Sequence, residues 1–167
     1  MKILLISDSH DNIFNLEKVL RWAGSIGIQH IIHAGDICAP GVVTKTFSPL
    51  LGGQMHIVFG NVGDRELLEQ YCAKTNNIKY YGDFGEVELD NKKIAFVHFK
   101  EKAEASAKTG KYDLAVFGHS HQSEVYKIGQ TQLVNPGTIG GLYNRASFAV
   151  YDTKNEKVDI EFLDQLP

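Results

Sequence analysis

The most constraining feature of this sequence is where its polar residues stand relative to its strand-like apolar runs. Short runs of aliphatic residues, such as Ile3 to Ile6, are followed at once by acids, amides or histidines. These polar residues are Asp8, His10, Asp36, Asn61, His98, His119 and His121. Because α/β folds gather their chemistry at the carboxyl ends of strands, we expect these side chains to meet at one sheet edge. Two carboxylates, one amide and four imidazoles together predict a two-metal site.

Composition sets the broad class of protein. The chain has 167 residues, of which 43% are hydrophobic, so one domain spanning residues 1–167 is the expectation. A net charge of -3 and the lack of a basic stripe give no strong nucleic-acid signal. No apolar run is long enough to cross a bilayer, so we expect no membrane partner.

The two cysteines and the N-terminus bear on the cellular compartment. Cys38 and Cys72 form no CxxC pair, and the short N-terminal apolar run is a buried strand in this interpretation and not a targeting signal. We therefore expect free thiols and a cytoplasmic protein. The oligomeric state stays open, a homo-oligomer included.

Strands and helices alternate in the first half of the chain. The pattern predicts strands at about 2–7, 29–33 and 55–59, and helices over about 13–23 and from about Pro40 and Asp64 onwards. Crossover rules turn this order into a parallel sheet with helices on its faces.

After Asn77 the pattern changes to hairpins. Asp90-Asn91 stands between predicted strands at 86–89 and 93–98 and is a strong hairpin signal. A helix over about 100–108 comes next, followed by strands at 114–117, 124–127, 132–134, 147–152 and 158–163. The second half is thus predicted to be mostly antiparallel, which favours two packed sheets with helices outside.

Taken singly, most of the polar motifs are ordinary turn or cap chemistry. Gly35-Asp36 and Gly60-Asn61 are typical turn steps, and a lone histidine such as His98 is usually a satisfied core side chain. His119 and His121, two residues apart after an apolar run, favour a metal site more strongly. The coincidence at five strand ends points to one shared site.

The order Asp-x-His, Gly-Asp, Gly-Asn, His, Gly-His-x-His resembles the signature of calcineurin-like metallophosphoesterases. Nearly the whole chain is similar to the small stand-alone phosphodiesterases of that superfamily, including the later Asn135-Pro136-Gly137-Thr138 segment. The resemblance implies an α/β fold, an αββα sandwich of two mixed β-sheets flanked by helices. It also implies a dinuclear centre that hydrolyses phosphodiesters through a metal-bridging hydroxide.

The resemblance further implies that every motif residue is a ligand of a metal ion and that there are two such ions. One metal takes Asp8, His10, Asp36 and His121, and the other takes Asp36, Asn61, His98 and His119. Asp36 is then the bridge, and Asp36, Asn61 and His98 are the candidate catalytic residues. Mixed oxygen and nitrogen ligands without thiolate favour Mn first, with Ni, Co, Fe or Zn as alternatives.

The chain also departs from the family pattern. Val62 and Gly63 stand where many members have a histidine, the usual proton donor to the leaving group, followed by an acid. Without that donor, diesters with acidic leaving groups should be favoured over monoesters. Phe99, Lys100 and Arg145 are candidate substrate contacts, although helix-start residues and a solvated arginine are the simpler interpretations.

Several alternatives stay open at this point. The same fold serves as a protein-interaction scaffold in the retromer sorting complex, with little or no catalysis, and a nuclease is a third reading. Either His33 and Asp64 each orient a metal-binding histidine from behind, or His33 is simply the end of a strand and Asp64 the N-cap of a helix. His30 and His56 are expected at the surface or a sheet edge, without chemistry.

Overall fold

The computed structural model describes residues 1–167 as two β-sheets packed face to face, with helices against their outer faces. The elements in chain order are β1 (Lys2–Ile6), α1 (Ile13–Ser25), β2 (His30–His33), a π-helical segment (Val43–Phe47), α2 (Ser48–Leu50), β3 (Gln54–Ile57), α3 (Arg65–Ala73), β4 (Ile78–Tyr80), β5 (Phe84–Leu89), β6 (Lys92–Val97), α4 (Lys100–Lys108), β7 (Leu114–Val116), β8 (Glu124–Ile128), β9 (Thr131–Asn135), β10 (Ser147–Asp152), β11 (Lys157–Phe162) and a short 3₁₀ turn (Leu163–Gln165).

The first sheet has the strand order β11-β10-β1-β2-β3-β4. Strands β1 to β3 are parallel, as predicted, and β4 pairs with β3 in the same direction. The hairpin β10-β11 adds to this sheet antiparallel through β1. The second sheet has the order β5-β6-β7-β9-β8. Both sheets are therefore mixed, which confirms the predicted fold class.

The expectation of a mostly antiparallel second half needs correction at the centre of the second sheet. Strands β6, β7 and β9 run parallel to one another, and only the edge pairs β5-β6 and β8-β9 are antiparallel. The reason is α4, which carries the chain back after β6 and so aligns β7 with it. The hairpin β8-β9 then places β9, its second strand, beside β7.

Strand β1 shows why the apolar runs are continuous and do not alternate with polar residues. Ile3 and Leu5 face the second sheet, whereas Leu4 and Ile6 pack towards α1 on the outer face. All four side chains are fully buried, as expected of a parallel strand covered on both faces. The inner cluster shared by the two sheets accords with one domain over residues 1–167, which stays a prediction.

Local sequence signals place several elements as expected. Asn12 caps α1 by accepting a hydrogen bond from the Asn15 amide, and Asp64 caps α3 in the same way through Leu67. Asp90 and Asn91 take φ values of 52° and 60°, the left-handed pair that a two-residue hairpin requires. The helix predicted from Pro40 is largely π-helical, over Val43–Phe47.

His56 corrects another expectation, because it lies inside the sandwich. Only 2% of its surface is exposed, and its Nδ1 atom lies 2.8 Å from the Tyr81 hydroxyl. Strand β4 is not predicted from the sequence, because its three residues are too few to show a periodicity. With β4 in place, β3 is an interior strand, and the His56 side chain faces the second sheet, where its ring centroid lies 6.3 Å from that of Phe96. His30, on the neighbouring strand, is half-buried.

No helix combines the length and the apolar character needed to span a membrane.

Candidate metal centre

The seven polar residues singled out from the sequence lie together where five strands end. Asp8 and His10 follow β1, Asp36 follows β2, and Asn61 follows β3 in the first sheet. His98 follows β6, and the two histidines at 119 and 121 follow β7 in the second sheet. Because both sheets present their carboxyl ends on the same side, the loops from each sheet form one cluster.

The loops hold these side chains with an unusual backbone. Five of the seven residues have left-handed φ values: Asp8 (49°), His10 (41°), Asp36 (65°), His119 (69°) and His121 (59°). Such conformations are costly for residues with a Cβ and persist where the surrounding structure enforces them. Strain of this kind is typical of functional sites.

Two glycines let the loops approach each other closely. A Cβ atom on Gly35 would lie 2.8 Å from Nδ1 of His98, and one on Gly60 would overlap the Asp36 carboxylate. Both glycines also have positive φ values. The Gly-Asp and Gly-Asn steps are therefore required by space as well as by turn geometry.

The Asp36 carboxylate lies at the middle of the cluster. Its Oδ1 atom is 3.3 Å from Nε2 of His98, and its Oδ2 atom is 3.7 Å from Nε2 of His10. The backbone amide of Asn61 donates a hydrogen bond to Oδ1 at 2.8 Å. Each carboxylate oxygen thus faces a different histidine, which is the geometry that a bridging ligand needs.

On one side of Asp36 lie Asn61, His98 and His119. The side-chain oxygen of Asn61 is 2.8 Å from Nε2 of His98 and 2.9 Å from Nδ1 of His119. Phe99 covers this side, with its ring centroid 4.9 Å from that of His119. The three polar side chains converge on a volume that a single ion could fill.

On the other side lie Asp8, His10 and His121. Nε2 of His10 is 3.2 Å from Nε2 of His121, and that second nitrogen is 3.3 Å from Oδ1 of Asp8. Donor atoms of these three residues all lie within 4.8 Å of one another, and so do those of Asp8, Asp36 and His98. The cluster therefore contains overlapping groups that can hold a metal ion.

The donor set fits divalent metal ions on a second ground. Oδ1 of Asp8 is fully buried and has no hydrogen-bond partner. A buried carboxylate oxygen without a partner is costly, and a cation satisfies it. Oxygen and imidazole donors without thiolate suit Mn, Fe, Co, Ni or Zn.

Charge and burial shift the pKa values of the central groups. Burial raises the pKa of the Asp8 carboxyl. Burial also opposes charge on Asp36, but its hydrogen bond to His98 and the positive charge of that ring outweigh burial and lower the pKa of Asp36. Burial disfavours charge on His98, yet Asp36 raises the pKa of its imidazole. A cation bound at Nε2 of His98 would compete with a proton for that nitrogen.

The far nitrogens of the histidines have their own partners. Nδ1 of His98 donates to the Ala34 carbonyl at 2.8 Å, and Nδ1 of His121 donates to the Leu142 carbonyl at 3.1 Å. Nδ1 of His10 lies 3.5 Å from Sγ of Cys38. Each contact fixes the ring so that Nε2 points into the cluster.

Several supporting residues are not identified by the sequence analysis. Nδ2 of Asn135 donates to the Gly118 carbonyl and to Ser120, and the Thr138 hydroxyl donates to the Asp8 carbonyl. The segment from Asn135 to Thr138 is noted in the sequence only as part of the family resemblance, and its role is to shape the loops that carry the cluster. Cys38 carries no motif of its own, so no local signal points to it.

His33 is the last residue of β2, as one of the two interpretations holds, and it also has a role that the sequence does not reveal. It is fully buried, its Nε2 atom lies 3.1 Å from the Ser9 hydroxyl, and its Nδ1 atom accepts from the Gly35 amide. Burial lowers its pKa to about 3, so the ring is neutral. His33 therefore ties together two loops of the cluster without touching a candidate ligand.

The three candidate substrate contacts differ in their surroundings. Phe99 lies against the cluster, as described. Lys100 instead donates to both carboxylate oxygens of Glu124 at 2.9 Å. Arg145 pairs with both carboxylate oxygens of Asp164, and its guanidinium carbon lies 4.1 Å from the centre of the Phe162 ring. Neither cation is a free phosphate clamp.

Comparison with known proteins assigns most of the chain to the family that its motifs resemble. Residues 1–156 match the family described as the calcineurin-like phosphoesterase superfamily domain. Phosphodiesterase MJ0936 of Methanocaldococcus jannaschii is 28% identical over 160 residues, which are 94% of this chain and 96% of that relative.

Solved structures show the fold independently. The structure of an archaeal phosphodiesterase has a TM-score of 0.88 and 26% identity, and the match covers 97% of this chain and 99% of that one. Vps29 of Entamoeba histolytica, in complex with Zn²⁺, has a TM-score of 0.68 and 19% identity, with 96% of this chain and 97% of that one covered. At that lower identity the likeness shows the fold alone.

Proposed function

This chain belongs to the calcineurin-like phosphoesterase superfamily, and we propose that it is a metal-dependent phosphodiesterase that hydrolyses small diesters at a two-metal centre. The observation that carries the proposal is the convergence of six polar side chains around a seventh, Asp36, whose two carboxylate oxygens face different histidines. The phosphodiesterase relatives support a diester substrate.

The residues divide into two ligand sets that share the central acid. Asp8, His10 and His121 would hold one ion, Asn61, His98 and His119 would hold the other, and Asp36 would be shared by the two sets. Two divalent cations there would supply Lewis-acid activation of the attacking water and would neutralise charge on the phosphate oxygens. Mn is our first choice for both positions, with Ni, Co, Fe and Zn as alternatives.

The charge of the ligand set suits an anionic substrate. About four positive charges of two divalent ions would face only two carboxylates, those of Asp8 and Asp36, which leaves about two positive charges for hydroxide and a diester anion. The neutral amide of Asn61 is important in this balance. A carboxylate at that position would lower the residual charge and weaken the hold on substrate.

The preference for diesters follows from the residue after Asn61. Val62 has no side-chain proton donor, and its backbone amide is turned to Oδ1 of Asp36 at 3.3 Å. The leaving group therefore departs as an anion or takes its proton from water or another side chain, which favours acidic alcohols such as phenols. Phe99 offers an apolar wall beside His119 for one ester group.

A protein-interaction scaffold is the second candidate. The observation in its favour is the likeness of fold to Vps29 proteins. Since one of those was solved with Zn²⁺, metal binding alone does not separate the two functions. Turnover does.

The cellular setting completes the proposal. Cys38 and Cys72 are both free thiols, and unpaired cysteines are typical of reducing compartments. We propose the cytoplasm as the compartment and a small phosphodiester as the partner.

The decisive experiment is metal removal and replacement. The protein is stripped with a chelator, Mn, Ni, Co, Zn and Mg are added back singly, and hydrolysis of bis(4-nitrophenyl) phosphate is measured against 4-nitrophenyl phosphate. We expect metal-dependent cleavage that is faster for the diester. Metal binding without turnover of either ester would favour the scaffold.

A pair of histidine variants tests the residues themselves. His119→Asn should lower turnover and bound metal while leaving the circular dichroism spectrum unchanged. His30→Gln is the matched control, because His30 is a half-buried histidine that lies outside the cluster. Unchanged turnover in His119→Asn would remove that residue from the proposed site.

A further inference from the structure

A cleft of about 270 Å³ opens beside the candidate metal centre at His121. Its walls are two loops, one carrying Gln122 and Ser123 and the other carrying Asn144 and Arg145, and Phe162 also lines it. We call this the arm cleft. Ligand pockets for whole small molecules usually measure about 300–1,000 Å³, so the arm cleft is sized for one part of a ligand.

The loop that forms one wall is held firmly to the metal centre. His121 donates from Nδ1 to the Leu142 carbonyl at 3.1 Å. The side-chain amides of Asn12 and Asn15 donate to the carbonyls of Gly140 and Ile139 at 3.1 and 2.7 Å. The arm cleft therefore keeps a fixed position relative to the site of reaction.

Tyr143 directly precedes Asn144 in the loop that forms one wall of the arm cleft, and its conformation is unusual. Its side chain is 96% exposed, its φ is +64°, and its ring centroid lies 6.1 Å from that of His121. A large aromatic ring held in water in a left-handed conformation gains nothing from packing and costs conformational energy. A flat ring on the ligand would cover its open face.

The charges and polar groups of the arm cleft define what else the ligand carries. The charge of Arg145 is already paired with Asp164, and its guanidinium lies on Phe162. The side-chain amides of Gln122 and Asn144 make no hydrogen bond within the protein. The cleft therefore offers neutral donors and acceptors and no unpaired lysine or arginine for a second phosphate.

We infer that the arm cleft binds one ester arm of the phosphodiester, and that this arm is an uncharged, hydrogen-bonding group with a planar ring, of the nucleoside type. Tyr143 stacks on the ring, and Gln122 and Asn144 bond its polar edges. This inference rests on the proposed function for the reacting phosphate, since the arm cleft contributes to specificity and not to the reaction itself.

Three diesters that share a leaving group and differ in the other ester group separate binding in the arm cleft from the hydrolysis step. They are the methyl, phenyl and 5′-thymidyl esters of 4-nitrophenyl phosphate, each assayed with the best metal from the replacement series. Stacking on an aromatic side chain is worth about 1–3 kcal/mol per base, so kcat/KM for the thymidyl ester should exceed that of the methyl ester by about tenfold or more.

Variants assign that preference to named residues. Tyr143→Ala should bring the thymidyl-to-methyl ratio close to one, and Tyr143→Phe should retain it. Asn144→Ala should lower the thymidyl ratio while leaving the phenyl ratio as it was, because phenyl lacks polar edges. Ile26→Ala, an exposed apolar residue near the far end of α1, is the control.

A binding measurement makes the test independent of turnover. In saturation-transfer NMR with the metal-free protein and free thymidine, the base protons should receive saturation in the parent and in Tyr143→Phe but not in Tyr143→Ala. Equal kcat/KM for the three esters, or a ratio that survives both Tyr143→Ala and Asn144→Ala, would overturn the inference. If no diester is hydrolysed with any metal, the proposed function fails, and thymidine binding alone then decides the fate of the arm cleft.

Discussion

The Sγ atom of Cys38 lies 3.5 Å from Nδ1 of His10, so a thiol stands directly behind one of the candidate ligands. The other histidines with a far-nitrogen contact, His98 and His121, are held by backbone carbonyls. A thiol is a weaker hydrogen-bonding group than a carbonyl. It is therefore the most easily altered of the outer contacts.

Cys38→Ala should weaken metal binding. Loss of an outer partner of a metal-bound histidine typically costs about 10–100-fold in affinity, and for a thiol we expect about tenfold, the lower end of that range. Competition with a chromophoric chelator measures the Kd. Cys72→Ala removes the other thiol, on α3, and serves as the control; equal Kd values in the two variants would show that Cys38 does not position His10.

Asp8→Asn should stabilise the chelator-treated protein. Its Oδ1 atom is buried without a hydrogen-bond partner, and an amide at that place could donate to Nε2 of His121, 3.3 Å away. We expect a gain of about 1–3 kcal/mol in the free energy of unfolding, measured with urea. Metal binding should fall at the same time.

The nearby acid Asp11 should give a change in the free energy of unfolding of the opposite sign. Both carboxylate oxygens of Asp11 accept backbone amides, from Cys38 and Ala39. Asp11→Asn should therefore destabilise the protein under the same conditions. A loss of stability in both variants would mean that Asp8 is satisfied in a way that its contacts do not reveal.

His56 should make stability depend on pH. Burial lowers its pKa from 6.5 to about 4, so the folded protein keeps it neutral while the unfolded chain takes up a proton below pH 6.5. The contribution of His56 is present in full above pH 6.5 and is lost as the pH falls towards 4. By linkage the loss is about 2 kcal/mol at pH 5.

Urea unfolding at pH 7 and pH 5 checks this prediction. His56→Gln has no group that titrates there, so the drop in the free energy of unfolding between the two pH values should shrink by about 2 kcal/mol. His33, whose pKa is also lowered by burial, contributes equally in both proteins. An unchanged drop would contradict the burial of His56 as the cause.

Val62→His should restore a proton donor next to Asn61. General acid catalysis contributes about 10²–10⁴-fold, and we expect the gain to be largest for diesters with poorly acidic alkyl leaving groups and smallest for 4-nitrophenyl esters. Val62→Gln controls for size and polarity. Equal gains for both leaving groups would point to a binding effect and not to proton transfer.

The outline of the fold could be predicted because its signals are local. Strand β1, the cap at Asn12 and the turn at Asp90 and Asn91 each depend on a few adjacent residues. Strand β4 could not be predicted, since three residues carry no period and its place is set by pairing with β3. That one omission also explains the error at His56, whose burial depends on β4 and on the second sheet.

The members of the candidate site follow from the sequence, but their supports do not. The seven polar residues stand at strand ends, so topology alone brings them together. Cys38 and His33 act through contacts between loops distant in sequence, which no spacing reveals. Arg145 shows the converse, because a plausible phosphate clamp is paired with Asp164 for reasons that only the tertiary structure supplies.

The left-handed backbone at Asp8, His10, Asp36, His119 and His121 has a consequence for descent. Those loop shapes depend on glycines, buried hydrogen bonds and strand ends, none of which disappears when a single histidine is exchanged. A lineage that lost its metal-ligating side chains would keep the backbone conformation of these loops. A few substitutions could then restore the ligands. In such a fold, few substitutions are needed to lose catalysis and few to regain it. The same seven side chains placed on ordinary turns would not recreate the centre.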